Sequence, residues 1–220
     1  MRRPISAATT RLWASRAAMA VLVPAGLMLA ACGTAGPPPK TYVLGAAPTM
    51  EAAADPLVGR PVIEVQRVLL TDYLDTTDIL VRGPANLVEP SRTGRWRERL
   101  SVGVAHALAT ALSRRLPNAV IATTTPPETA ACELQLDVEA FEADASRRVA
   151  FVGQWRVLGA ASHNTLAGER VSFSEPVDGA GDEPVVAVMS RMIGDLGERI
   201  ATAIRGLGPT CTGSPRKRRS

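Results

Sequence analysis

Few side chains in this 220-residue chain have types that could do chemistry: two histidines, three cysteines and scattered carboxylates. Cys32 is the most informative, because it closes the run Leu29-Ala30-Ala31-Cys32. Ahead of it a stretch carrying Arg2, Arg3, Arg11 and Arg16 gives way to 15 uncharged residues, 17–31. Basic residues hold an N-terminus on the cytoplasmic side while the apolar run enters the bilayer. The small residues Ala30 and Ala31 leave a protease room to reach the bond before Cys32. This is the pattern of a bacterial lipoprotein signal, in which the thiol takes a diacylglycerol group and the freed amine a third chain. A spanning helix needs about 20 residues, so the run reads as a cleaved signal and not as a permanent span. The competing reading is an ordinary secretory signal with a coincidental cysteine. Arg2-Arg3 lies too near the start for a twin-arginine signal.

With Cys32 acylated, two thiols remain, Cys132 and Cys211, and an exported chain meets an oxidising compartment. Cys132 begins a strand pattern and Cys211 follows the last helical pattern, so a bridge between them is expected. It would close a loop of about 80 residues and tie down the C-terminal end. The histidines offer less. His106 lies halfway round its predicted helix from the Leu100–Val104–Leu108 stripe and should be solvated; His163 falls in a predicted turn. There is no third histidine and no Gly-x-Ser-x-Gly elbow. Lys40-Thr41 follows prolines where a phosphate loop needs backbone amides, with Pro39 in place of the required glycine. Asp137 and Glu139 read as the wet face of a sheet, not as an acid–base pair. The chain is expected to be no enzyme, with no catalytic residue, no metal ligand set and no cofactor beyond the lipid on Cys32.

The charge balance changes once the ends are set aside. Of 25 basic residues, four precede Cys32 and four form Arg216-Lys217-Arg218-Arg219, while all 21 acidic residues follow Ala31. From Cys32 onward the net charge is zero, and without the basic tail it is −4. The sequence pI near 9.4 therefore belongs to the ends, and the clustered basic face of a nucleic-acid binder is not expected. Gly33 stands where an Asp would retain a lipoprotein at the inner membrane, which favours the periplasmic face of the outer membrane.

Elements that must position these residues fill the middle of the chain. Residues 1–31 read as signal, 32–41 as the lipidated cysteine and a Pro-rich tether, 42–207 as one domain, and 208–220 as a disordered basic tail. Pro37-Pro38-Pro39 favours an extended spacer, and residues 46–60 form a second loose stretch. Strand patterns fall at Tyr42–Leu44, Val62–Val68, Asp78–Arg82, Ala119–Ile121, Leu134–Phe141 (after a one-residue slip), Val149–Val157 and Ala167–Ser174. Turns are expected at Ala145-Ser146 and at Ser162-His163-Asn164. Trp96, Leu100, Val104, Leu108, Leu112 and Leu116 recur every four residues, which predicts a helix from Arg95 that Pro117 stops. A second helix starts at Asp182-Glu183-Pro184, with Asp182 as its cap, and carries Val185, Met189, Met192, Ile193, Leu196, Ile200 and Ile204. Asp72-Tyr73-Leu74-Asp75 is too polar and too short to be core by itself. The fold class is α/β, with α+β as alternative: one mixed, mostly antiparallel sheet packed with two long amphipathic helices.

Five segments in order carry a resemblance. They are Tyr42-Val43-Leu44; Leu70 to Asp75 followed by Ile79-Leu80-Val81-Arg82; Arg95-Trp96 with Leu100; Asp137 to Phe141; and Met189-Ser190 with Leu196 and Ile200. Behind a lipoprotein signal they resemble the auxiliary lipoproteins of ABC-type transport systems. They are similar to the outer-membrane component of paraquat-inducible, MCE-type lipid transport systems. Arg99 stands where that family often has a proline. The resemblance implies a non-catalytic subunit working beside an ABC permease, its ATPase and an MCE-domain protein. Tyr73, Leu74, Asp75 and Arg82 are then candidates for partner contact, against a structural role in which Asp caps a turn, Tyr and Leu cover a sheet edge and Arg pairs with a carboxylate. Two other functions stay open: a periplasmic carrier holding an acyl chain in its own pocket, and a secreted hydrolase. Self-association is also left open.

Overall fold

A computed structural model describes residues 38–45, 59–66, 68–126 and 128–212. Its elements fall in the compact unit that starts at Pro39. They are β1 (Lys40–Tyr42), β2 (Val62–Val65), β3 (Leu69–Leu70), β4 (Asp78–Arg82), a 3-10 turn (Pro84–Asn86), β5 (Val88–Trp96), α1 (Leu100–Arg115), β6 (Val120–Ala122), β7 (Cys132–Asp144), β8 (Arg148–Gly159), β9 (Thr165–Pro176), α2 (Asp182–Gly206) and α3 (Pro209–Thr212).

The strands form one mixed sheet with β7 as its spine. One edge of β7 pairs with β8 in a long antiparallel ladder, from Cys132↔Gly159 to Ala143↔Val149. Its other edge is shared end to end by three parallel strands: β2 at Ile63↔Cys132, β3 at Leu69↔Asp137 and β4 at Val81↔Ala143. β9 pairs antiparallel with β8, β6 flanks β2, β5 pairs antiparallel with β4, and β1 lies parallel to β5. Parallel pairings are more numerous, but the two longest ladders are antiparallel.

Alternation along β7 sets the two faces. Cys132, Leu134, Leu136 and Val138 point inward, then a bulge between Val138 and Ala140 resets the register so that Phe141 and Ala143 also point inward. This bulge is the expected slip. Gly153 stands opposite it, where a Cβ would lie 2.6 Å from the Asp137 carbonyl oxygen. On β8 the inward set is Val149, Phe151, Trp155 and Val157. Both helices cover this inner face, and their buried stripes, Leu100–Val104–Leu108–Leu112 and Val185 through Ile204, complete one core. Each fully buried aliphatic side chain contributes about 1.5–3 kcal/mol. The outer face carries polar ladders instead, such as Arg170 with Glu139 and Arg156 with Asp137.

Several expectations need correction. α1 begins at Leu100; Trp96 ends β5, and its four-residue spacing to Leu100 spans a strand-to-helix junction. β3 and β5 were not foreseen. Gly181, not Asp182, precedes α2 as its cap residue. The buried Asp182 carboxylate instead accepts hydroxyls from Ser91 (2.9 Å) and Thr93 (2.6 Å), pinning β5 to the start of α2. Leu74 is fully buried, although its segment looked too polar for core. The tail boundary shifts as well, because Pro209–Thr212 is a helical turn with Cys211 buried. Cys32, the signal, most of the tether, residues 46–58 and the basic run after 212 lie outside the described residues.

Candidate functional site

The turn joining β3 to β4 fastens three parts of the molecule with consecutive side chains. Thr71 anchors it to β7, its amide donating to the Val138 carbonyl (3.2 Å) and its hydroxyl to that of Glu139 (2.9 Å). Leu74 drops into the protein interior. Asp75 turns the other way: its carboxylate accepts the Ser101 amide at 3.1 Å and the Arg99 guanidinium at 3.1 Å. It thereby satisfies an orphan N–H at the start of α1, a helix whose own cap residue, Arg99, supplies no side-chain bond. Burial opposes ionisation of Asp75, but hydrogen bonds from Ser101 and Arg99 outweigh it and hold its carboxyl below the ordinary range.

Tyr73 faces outward over Glu142, a carboxylate on the outer face of β7 that is only 4% exposed. Its hydroxyl donates to Glu142 Oε1 at 3.3 Å and accepts from Arg82 Nη2 at 2.8 Å. Arg82 Nε donates to the same carboxylate oxygen, and its guanidinium lies 5.6 Å from the centre of the Tyr73 ring. Burial, with the Glu142 charge second, pushes the Tyr73 phenol up; the bond to Glu142 raises Arg82 further. Tyr73 therefore stays protonated and Arg82 charged throughout the physiological range. Glu142 Oε2 is buried with no hydrogen-bond partner among the described residues. Tyr73 remains 41% exposed, and Leu69, at the other end of the turn, 54%. The result is a phenol and a guanidinium held in fixed poses yet open to solvent. Pre-ordered Tyr and Arg of this kind lose little entropy on binding.

The remaining expected residues lie elsewhere. Cys132 and Cys211 form a disulfide, with Cα atoms 5.3 Å apart across a separation of 79 residues, and both are fully buried. It joins the start of β7 to the turn after α2. His106 sits 3.2 Å from Glu98, and His163 3.8 Å from Glu133; both side chains are mostly exposed. No group of three or more His, Cys, Asp or Glu that could hold a metal occurs among the described residues. A crevice of about 430 Å³ opens where β2 and β6 end and α1 begins, the position where open α/β sheets often hold ligands. Its Asp75, Gln66 and His106 already bond to Ser101, Glu133 and Glu98. Reasoning from sequence missed Glu142, whose partners lie 60 and 69 residues away.

A mixed sheet with both helices on one face, tied at one end by a disulfide and displaying the Tyr73–Arg82 cluster on the other face, makes a single α/β domain. The chain belongs to the ABC-type transport auxiliary lipoprotein component family, whose model matches residues 42–201. Membership makes it a membrane-associated lipoprotein of an ABC transport system. No curated protein matches the chain. Among solved structures, one uncharacterized protein is 17% identical, covering 76% of this chain and 99% of its own, at a TM-score of 0.64. Protein XCC0632 from Xanthomonas campestris is 15% identical over 76% of this chain and 94% of its own, at 0.57. At these identities the likeness concerns the fold.

Proposed function

We propose that this protein is the non-catalytic, lipid-anchored subunit of an MCE-type ABC system that moves lipid between membranes. In this reading Cys32 carries the lipid and holds the domain on the periplasmic face of the outer membrane. The Tyr73–Arg82 cluster then meets the MCE-domain protein, and ATP hydrolysis belongs to the permease-coupled ATPase. One observation carries the reading: within the family domain, Tyr73 and Arg82 are locked onto buried Glu142 and remain open to solvent. A purely structural clamp has no need to leave its aromatic ring exposed.

Tyr73→Ala in the full-length lipidated chain tests it, by recovery of the MCE-domain protein and by thermal melting together. Loss of recovery with melting held within about 2 °C, which corresponds to less than about 1 kcal/mol in a domain of this size, supports contact. Full recovery with lowered melting assigns the cluster to structure alone.

A further inference from the structure

The edge of the sheet formed by β1 and β5 is the part of the domain nearest in sequence to Cys32. β1 pairs only with β5, and no strand among the described residues covers its outer side. The register sets Lys40 beside Gly94 and Thr41 beside Arg95, and the Arg97 amide donates to the Tyr42 carbonyl at 2.8 Å. Ser91 and Thr93 turn their hydroxyls to Asp182 at the start of α2, so Arg92 between them points away from the helices. Lys40, Arg92, Arg95 and Arg97 thus gather at one edge, and all four are exposed.

Most of this charge is not answered within the fold. β1, β5 and Arg97 include one carboxylate, Glu89, at the far end of β5 opposite Val81. Carboxylates on the neighbouring elements are engaged: Asp78 with Arg95 at 3.6 Å, Asp75 with Arg99 at 3.1 Å, Glu98 with His106, and Asp182 with Ser91 and Thr93. Glu183 is exposed on the first turn of α2, on the helix side of the sheet. The side chains of Lys40, Arg92 and Arg97 make no ion pair or hydrogen bond among the described residues. This local excess stands out in a chain whose net charge from Cys32 to the start of the basic tail is −4. Val43 follows β1 and, at 60%, is the most exposed large apolar side chain among the described residues. Cations beside an exposed apolar side chain suit a surface that meets lipid headgroups.

Chain length supplies the occupant. Cys32 precedes Lys40 by eight residues, a span of at most about 28 Å when fully extended. An acyl group on Cys32 holds one end of that span in a bilayer, so β1 is the first described element within reach of the leaflet. We propose that the β1–β5 edge docks on the anionic phospholipid headgroups of the leaflet that holds the anchor, a proposal that rests on acylation at Cys32. Lys40, Arg92 and Arg97 meet lipid phosphates, and Val43 enters between the headgroups. Tethering raises the effective concentration of headgroups at this edge, so contacts too weak to hold a free partner suffice. The tether alone permits every orientation; the edge contact selects one. An edge is docked and not a face, so the outer face of the sheet, with Tyr73 and Arg82, stays open to a partner.

The test places a nitroxide on the acylated, processed full-length protein in nanodiscs. Thr41→Cys, exposed on β1, offers a single reactive thiol, because Cys32 is acylated and Cys132 is bridged to Cys211. Ser172→Cys on β9, five strands across the sheet, is the distant control. Accessibility to an aqueous nickel chelate is compared in phosphatidylcholine discs and in discs with equal parts of phosphatidylglycerol. Each cation near an anionic surface shifts docking about fivefold, so accessibility at Thr41 should fall by at least about fivefold in the anionic discs. It should recover in about 0.5 M NaCl, where surface charge is screened within a few ångströms. Lys40→Gln, Arg92→Gln and Arg97→Gln together should restore the phosphatidylcholine level. Arg216→Gln, Lys217→Gln, Arg218→Gln and Arg219→Gln together should leave the shielding in place.

Equal accessibility of Thr41 in the two discs overturns the proposal. So does equal shielding of Ser172, which is attraction without orientation, and so does shielding that survives the triple substitution or is lost with the tail instead. The salt comparison needs no variant, so a folding defect in the triple variant cannot mask the result. Intact mass, read first, reports acylation separately. A chain without acyl groups refutes the anchor and this docking with it, whereas an acylated chain with Thr41 unshielded refutes the docking alone.

Discussion

Arg82→Ala isolates the energetics of the display cluster. The substitution leaves Glu142, at 4% exposure, without its only ion-pair partner among the described residues. Removing one partner of a buried ion pair typically costs about 3–5 kcal/mol, because the remaining charge stays desolvated. Two features lower that figure here. Arg82 is itself 36% exposed, so its removal lets water approach the carboxylate, and the Tyr73 hydroxyl at 3.3 Å remains as a donor. A loss of about 2–3 kcal/mol is expected, or about 5–10 °C in melting for a domain of this size. The sharper test adds Glu142→Gln to the Arg82→Ala chain. Removing the stranded charge should then restore about 1–2 kcal/mol, so the second substitution stabilises in that background and destabilises alone. Urea unfolding followed by circular dichroism reads all four chains. A double variant no more stable than Arg82→Ala would refute the idea that Glu142 is a buried carboxylate dependent on Arg82.

Three further outcomes follow from the packing. Cys211→Ser should cost about 4.5 kcal/mol by the chain-entropy model for a loop of this length, and reducing agent should lower wild-type melting to match; two alkylated cysteines in the unreduced, denatured chain would show that the bridge does not form. Asp75 and Asp144 have folded pKa values below the ordinary carboxyl value, so their stabilisation is complete above that value and fades as pH falls through the depressed one. Between about pH 5 and pH 2, wild type should therefore lose more stability than Asp75→Asn; parallel pH profiles would contradict this. A Cβ at Gly197 would stand 2.7 Å from that of Ala111, so Gly197→Ala should push α1 from α2 and cost about 1–2 kcal/mol despite better helix propensity, measured by urea midpoint.

The long elements were legible because their side chains repeat with the period of their surroundings. The α2 stripe and the alternation of β7, even its slip, follow from one buried and one wet face. β5 was hidden for the opposite reason. Only Gly94 and Trp96 of its nine residues are buried, and Ser91 and Thr93 hold it through Asp182 rather than through apolar contact. The start of α1 was misplaced because its cap comes from Asp75, 26 residues from the amide it satisfies; no local residue could announce it. Tyr73, Leu74, Asp75 and Arg82 stood out by resemblance alone. Their division of labour depends on Glu142, which in sequence is one more polar residue of an alternating strand.

The proposed function makes this domain a tethered, non-catalytic partner of an MCE-type transport machine. Affinity purification of the lipidated full-length protein from its own membranes, followed by mass spectrometry of what accompanies it, tests that claim most directly. A stoichiometric MCE-domain protein is expected in the eluate, lost when Cys32→Ala prevents tethering. Recovery of an ABC permease complex lacking any MCE-domain protein would contradict it.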